Sequence, residues 1–246
     1  MKILIDIGNT NTSVGLWKNS KLSMAKNIDN NKLLSTVKKF LKKGIVEILF
    51  TSVISSKENK LIIGKLKKMY GCGIKQIKSS STLLGVTNGY LQPKKLGDDR
   101  WVTIVASSLL YGEPLMIVDC GTAISIDMVN AKGIHLGGYI LGGFDGYSKS
   151  FKNAYHLKNI KIKEDAVSQK KSFPNKTEDG ITEGYLLMVI SAIENTYNHI
   201  KKNQKTSPKL LISGGYGKTI SKRLSVKNKY EPDLVLKSIG LIGSYL

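Results

Sequence analysis

Arginine is nearly absent from this 246-residue chain: Arg100 and Arg223 stand alone among 38 basic residues, the rest being lysine. Against 18 acidic residues the formal charge is +20. A nucleic-acid surface groups its basic residues on one face or interleaves them with aromatics. Here lysine is scattered through every segment and aromatics make up 7% of the chain. The skew reads as base-composition bias laid over a solvated surface, whose positive field would draw in small anions. Cysteine is scarce too. Cys72 and Cys120 have no metal-site spacing, which excludes a disulfide framework and a zinc knuckle and points to a reduced, cytoplasmic setting. His135, His156 and His199 have neither metal-ligand nor triad spacing and read as surface or core residues. No apolar run approaches the roughly 18 residues of a membrane span. The start, one lysine and then a strand ending in Asp6, does not read as a signal peptide. What remains is a chain that is 41% hydrophobic, with enough apolar material for one large or two modest domains.

Two short turns more than a hundred residues apart carry the strongest signal. Asp6-Ile7-Gly8-Asn9-Thr10-Asn11-Thr12 follows the apolar run Ile3-Leu4-Ile5. Asp119-Cys120-Gly121-Thr122-Ala123 follows Met116-Ile117-Val118. Each is a strand ending in a carboxylate, then a glycine, then a hydroxyl, and each leads into a second strand. Glycine lets the backbone come close to a ligand, and successive N–H groups form an anion-binding concavity. A carboxylate there can hold a hard cation, directly or through water. Two such turns suggest two lobes that grip a polyphosphate and its metal.

Strands are expected at 2–7, 12–18, 21–26, 46–50 and 74–78, and helices at 29–43 and 57–70. Leu33, Leu34, Val37, Phe40 and Leu41 fall at three- and four-residue spacings in the first helix. A loop with Pro93 precedes a helix from Asp98 to Tyr111, and Pro114 marks the expected lobe boundary. The pattern then restarts, with strands at 115–119, 123–130 and 134–141 and a helix over 146–156. A lysine-rich stretch, 159–176, reads as the least structured part. A long helix after Thr177, a buried strand from Lys209 to Ser213 and a last helix from Pro232 to about Tyr245 complete the chain. The expected fold class is α/β, with lobes at 1–113 and 114–246.

A third motif, Tyr90-x-x-Pro93-x-x-x-Gly97-x-Asp99-Arg100, joins the two turns. With it the chain closely resembles the type III pantothenate kinases of the actin, sugar-kinase and heat-shock ATPase superfamily, down to Ser213-Gly214-Gly215 and Pro232-Asp233-Leu234. The turns alone indicate the superfamily; the middle motif narrows it to this family. The resemblance implies duplicated ribonuclease H-like lobes with the nucleotide between them. It implies ATP-dependent phosphorylation of pantothenate, the first step toward coenzyme A. It also implies magnesium or another divalent cation, potassium or ammonium, and a cytoplasmic homodimer that binds neither nucleic acid nor membrane.

By matching position, Asp99 is the implied catalytic base. Asp6, Ile7, Gly8, Asn9, Thr10, Asn11, Thr12, Ser13 and Thr122 are implied to hold ATP. Tyr90, Gly97, Asp98, Asp99, Arg100 and Thr177 are implied to contact pantothenate, Thr177 from the partner subunit. Asp119 is implied for the monovalent cation and Asp6 for the divalent one, through water. The chain departs from the family pattern in three places: Asp98 stands where alanine is common, Leu141-Gly142-Gly143 where a Pro-Gly is usual, and Asn175-Lys176-Thr177 splits an Asn-Thr pair.

Structural readings stand beside the functional ones. Asp98 and Asp99 suit a helix N-terminus, which favours negative charge. Arg100 could form an ion pair with Asp98 or Asp119 instead of forking onto a substrate carboxylate. Asp6 and Asp119 could be turn-forming residues, Tyr90 a loop aromatic, and Thr177 a helix N-cap. Two other functions stay open: a non-catalytic nucleotide-binding regulatory relative, or a superfamily kinase acting on another small hydroxyl.

Overall fold

The computed structural model of the chain describes residues 1–40, 44–69, 71, 73–151 and 173–246. The end of the helix expected over 29–43, Cys72, His156, the end of the helix expected over 146–156, and 159–172 of the lysine-rich stretch lie outside the described residues. Two compact units divide the chain. One comprises Met1–Gly112, Gly133–Leu136 and Asp233–Leu246; the other comprises Glu113–Lys132 and Gly137–Pro232.

In the first unit, β1 (Lys2–Ile7), β2 (Asn11–Lys18), β3 (Lys21–Asp29), β4 (Glu47–Ser52) and β5 (Gly73–Gln76) form one sheet in the order β3-β2-β1-β4-β5. β1 runs antiparallel to β2 and parallel to β4. Its Ile3, Leu4, Ile5 and Ile7 are at most 1% exposed, so the strand has no polar alternation, as expected where both sheet faces are covered. Each such side chain contributes about 1.5–3 kcal/mol of burial. Helices α1 (Leu33–Phe40) and α2 (Ser56–Met69) cover one face with Leu33, Val37, Phe40 and Leu66. The first helix is shorter at its start than expected because residues 30–32 form a 3-10 turn. A hairpin, β6 (Thr82–Leu83) and β7 (Val86–Thr87), leads to α3 (Asp98–Tyr111).

The second unit repeats the plan. β8 (Leu115–Cys120), β9 (Ala123–Val129), β10 (His135–Gly142), β11 (Lys209–Ser213) and β12 (Asn228–Tyr230) lie in the order β10-β9-β8-β11-β12. Position for position this is the order of the first sheet. Helices α4 (Phe144–Ser150), α5 (Thr177–Gln204) and α6 (Gly217–Arg223) accompany it. Tyr185, Leu186, Val189, Ile193, Tyr197 and Ile200 of α5 enter its core.

The last helix, α7 (Leu234–Ile242), packs on α3 and β1 and so belongs to the first unit, although it follows the second in sequence. Its Leu236, Ile239 and Ile242 are buried, and Gly240 lies so close to the Trp17 ring that a Cβ would collide with it. Residues 133–136 also join the first unit, where the Thr87 N–H donates to the Gly133 carbonyl at 2.9 Å. The expected lobe limits differ from this division at those two segments and at Glu113.

Candidate active site

The two acidic turns sit at matching places. Asp6, one residue before the end of β1, stands opposite Ser13 on β2 and Thr51 on β4. Asp119, in β8, stands opposite Ser125 on β9 and Ser213 on β11. Each carboxylate therefore has a hydroxyl residue on both neighbouring strands. In the first unit the Thr51 hydroxyl donates to Asp6 Oδ1 at 2.9 Å.

The first turn is closed by the Gly8 N–H, which donates to the Asn11 carbonyl at 3.0 Å. A Cβ on Gly8 would lie 2.8 Å from that oxygen, so glycine is required. Asn30, just after β3, pins the turn from below. Its side-chain amide donates to the Gly8 carbonyl at 3.0 Å and to the Asn9 carbonyl at 3.4 Å. Its Oδ1 accepts the Thr12 hydroxyl at 2.7 Å. Thr12 is fully buried, so its hydroxyl is committed to the fold, while Asn9, Thr10 and Asn11 are exposed. Sequence reasoning missed Asn30; its sole signal was a place in the polar run Asp29-Asn30-Asn31 ahead of a helix.

In the second turn the Gly121 N–H donates to the Ala123 carbonyl at 3.0 Å, and Thr122 is exposed. The Gly143 N–H donates to the Thr122 carbonyl at 3.1 Å, and a Cβ on Gly143 would lie 2.6 Å from the Gly121 carbonyl oxygen. The second glycine of Leu141-Gly142-Gly143 thus lets the backbone between β10 and α4 lie directly against the turn. Gly214, at φ +86°, meets the Cys120 backbone in the same way. Burial, reinforced by the neighbouring Asp119 charge, pushes the Cys120 thiol far above its ordinary range, so it is an inert core residue.

The middle motif gathers around the N-terminus of α3. Gly97 is its N-cap, and Asp98 and Asp99 occupy its first turn. The two acids have different surroundings. Asp98 Oδ1 accepts the Ser79 N–H at 2.8 Å and Oδ2 accepts the Gln76 amide at 3.1 Å. Burial raises its pKa against those hydrogen bonds. Asp99 Oδ1 accepts the Arg100 N–H at 2.7 Å, and a Cβ on Gly97 would lie 2.5 Å from that oxygen. Glycine at 97 therefore leaves room for the Asp99 carboxylate.

Arg100 Nη1 donates to the Tyr90 hydroxyl at 2.9 Å, with its guanidinium carbon 5.6 Å from the ring centroid. The loop bearing Tyr90 is knotted by Asn88. Its amide donates to Ser79 Oγ and the Ser80 carbonyl, both at 3.1 Å, and its Oδ1 accepts the Tyr90 N–H at 3.0 Å. Tyr90 and the stretch Gly97–Arg100 thus form one cluster in the first unit, the unit that also carries Asp6. Asp119, Thr122 and Thr177 belong to the second. Thr177 is exposed and is the first residue of α5; Lys176 occupies the N-cap position, which corrects the capping alternative for Thr177. The second arginine is structural: Arg223 forks onto Glu183 at 2.6 and 3.0 Å, tying α6 to α5.

No group of three or more His, Cys, Asp or Glu side chains converges among the described residues.

Comparison with known proteins agrees with this architecture. The type III pantothenate kinase family model matches residues 2–199. A type III pantothenate kinase of Persephonella marina is 31% identical over 255 residues, covering 98% of this chain and 97% of the relative. One from Acinetobacter baumannii is 31% identical over 244 residues, covering 96% and 94%. Among solved structures, a Campylobacter jejuni protein assigned to the Baf family of transcriptional activators has a TM-score of 0.64 at 21% identity, covering 99% of this chain and 98% of the other. The ethanolamine utilization protein EutJ of Carboxydothermus hydrogenoformans has a TM-score of 0.54 at 15% identity, covering 98% and 89%. These structural matches show the actin-like fold; the family model and the sequence relatives show that the chain belongs to the type III pantothenate kinase family.

Proposed function

We propose that this chain phosphorylates pantothenate with ATP, opening the route to coenzyme A. The observation that carries the reading is the Tyr90–Arg100 cluster, with Asp99 separated from Asp98 by its surroundings, in a chain of this family. The pantothenate hydroxyl oxygen forms a bond to the γ-phosphorus of ATP as the bond from that phosphorus to the β,γ-bridging oxygen breaks. Asp99 accepts the hydroxyl proton, and ADP leaves. Such a reaction asks mainly for positioning and charge stabilisation. Arg100, oriented by the Tyr90 hydroxyl, forks onto the substrate carboxylate. Asn9, Thr10, Asn11 and the backbone N–H groups of the first turn hold the phosphates, with Thr122 contributing from the second. A divalent cation, when bound, would neutralise phosphate charge, and Asp6 would hold it. Asp119, with Ser125 and Ser213 on the neighbouring strands, is the proposed seat of potassium or ammonium.

The chain works as a homodimer in this reading. Leu187 and Met188 of α5 are 69% and 46% exposed, and Tyr139 and Ile140 of β10 are 56% and 63% exposed. Apolar side chains of this size left in water support a partner surface. Thr177, at the start of the same helix, then serves the neighbouring subunit's substrate. No helix among the described residues is long and apolar enough to cross a membrane; the proposed location is the cytoplasm.

The test is direct. Purified protein incubated with ATP, magnesium, potassium and pantothenate should yield phosphopantothenate by mass spectrometry. A protein that binds ATP but forms no such product would favour a regulatory relative instead.

A further inference from the structure

The Tyr90 ring has a second neighbour that the mechanism above leaves unused. It stacks on the His135 imidazole with centroids 5.8 Å apart and planes 18° from parallel. His135 is fully buried, whereas Tyr90 is half-buried and meets Arg100 at its hydroxyl. The segment carrying His135, 133–136, is a short excursion of the chain into the first unit between stretches of the second. It is anchored there beside the Tyr90 loop: Thr87 pairs with Ile134 and donates to the Gly133 carbonyl at 2.9 Å. Asn88, the next residue after Thr87, holds the Tyr90 N–H. Both ends of the stack are thus tied to the same few residues of backbone.

We propose that His135 is a positioning residue for the acidic substrate. Its ring is the platform that sets the plane of Tyr90, and through the tyrosine hydroxyl it sets the direction of the Arg100 fork. Stacked aromatic rings at this separation attract one another beyond their shared buried area. Without the platform Tyr90 regains rotational freedom, and the guanidinium loses the acceptor that aims it. The role rests on the reading that Arg100 takes the pantothenate carboxylate. It predicts an effect on one substrate and not on the other.

The experiment measures both KM values on the full chain. His135→Ala should raise the pantothenate KM by about 2- to 12-fold, the size of one aromatic pair. The ATP KM should stay within about twofold, and His135→Phe, which keeps a stacking ring, should restore the parent value. In a Tyr90→Ala background, His135→Ala should add nothing, since the two act as one unit. If His135→Ala does not fold, His135→Gln, which lacks the ring but keeps polar atoms, takes its place with the same expectation. An unchanged pantothenate KM, an equal rise in both KM values, or full additivity with Tyr90→Ala would overturn the inference while leaving the proposed reaction intact. A parent protein that neither binds nor phosphorylates pantothenate would overturn both.

Discussion

Asp98 accepts the backbone N–H of Ser79 at 2.8 Å, and this contact separates it from its neighbour Asp99. Adjacent residues on a helix point about 100° apart. Asp98 is committed to the loop after β5, and the proposed reaction assigns the base to Asp99. Asp99→Asn should lower turnover by about 100- to 10,000-fold, the usual contribution of a general base, with little change in Tm. Asp98→Asn should lose far less. Steady-state rates and melting curves on both variants check this, and a more damaging Asp98 change would mean that the roles are reversed.

The buried Asp98 also gives a pH signature. Its folded pKa is raised above the ordinary value of 3.8 by burial. The stability it contributes is fully present below that ordinary value and is lost as pH rises through the higher folded one. Asp98→Asn removes this dependence. The variant should therefore gain stability relative to the parent between acid and neutral pH, read from denaturant melts at each pH. A difference that is flat with pH would contradict the assignment.

Asn30 should matter for the nucleotide without touching it. Asn30→Ala removes the acceptor of the buried Thr12 hydroxyl and the donor to the Gly8 carbonyl. Leaving such a group unsatisfied costs about 1–3 kcal/mol. The ATP KM should rise and Tm should fall, while the pantothenate KM stays close to the parent's. An unmoved ATP KM would show that the turn holds its shape without this clamp.

Arg100→Lys keeps the charge and loses the fork. A lost charge-assisted hydrogen bond costs about 1.5–3 kcal/mol, so the pantothenate KM should rise about 10- to 150-fold with the ATP KM nearly constant. Pantothenol, which lacks the carboxylate, should be a poor substrate of the parent. A change in cation and ATP dependence instead would assign Arg100 to the second turn's ion.

Replacing potassium by tetramethylammonium, too large for a small oxygen-lined site, should abolish turnover if Asp119 seats the monovalent ion. Undiminished activity in tetramethylammonium would remove that role from Asp119.

Much of this was legible in the sequence because it rests on local signals. The runs Ile3-Leu4-Ile5 and Met116-Ile117-Val118 became central strands, each with its carboxylate at the penultimate position. Helix α3 spans Asp98 to Tyr111, the limits expected from the sequence. The less legible parts depend on contacts distant in sequence. Helix α7 belongs to the first unit because its apolar face fits α3 and β1, and nothing near residue 234 encodes that. Helix α6 and strand β12 escaped notice because they are short: α6 buries Gly217 and Ile220 and leaves no clear period. Asn30, Gln76 and Ser79 are ordinary polar residues in sequence. Their importance comes from what the fold sets beside them, 22, 22 and 19 residues away.

The most direct test follows the phosphoryl group itself. With ATP labelled at the γ-phosphate, the parent protein should pass the label to pantothenate. Asp99→Asn should pass almost none while still binding both ligands by calorimetry. Label released only as inorganic phosphate by the parent, or transferred undiminished by Asp99→Asn, would contradict the account.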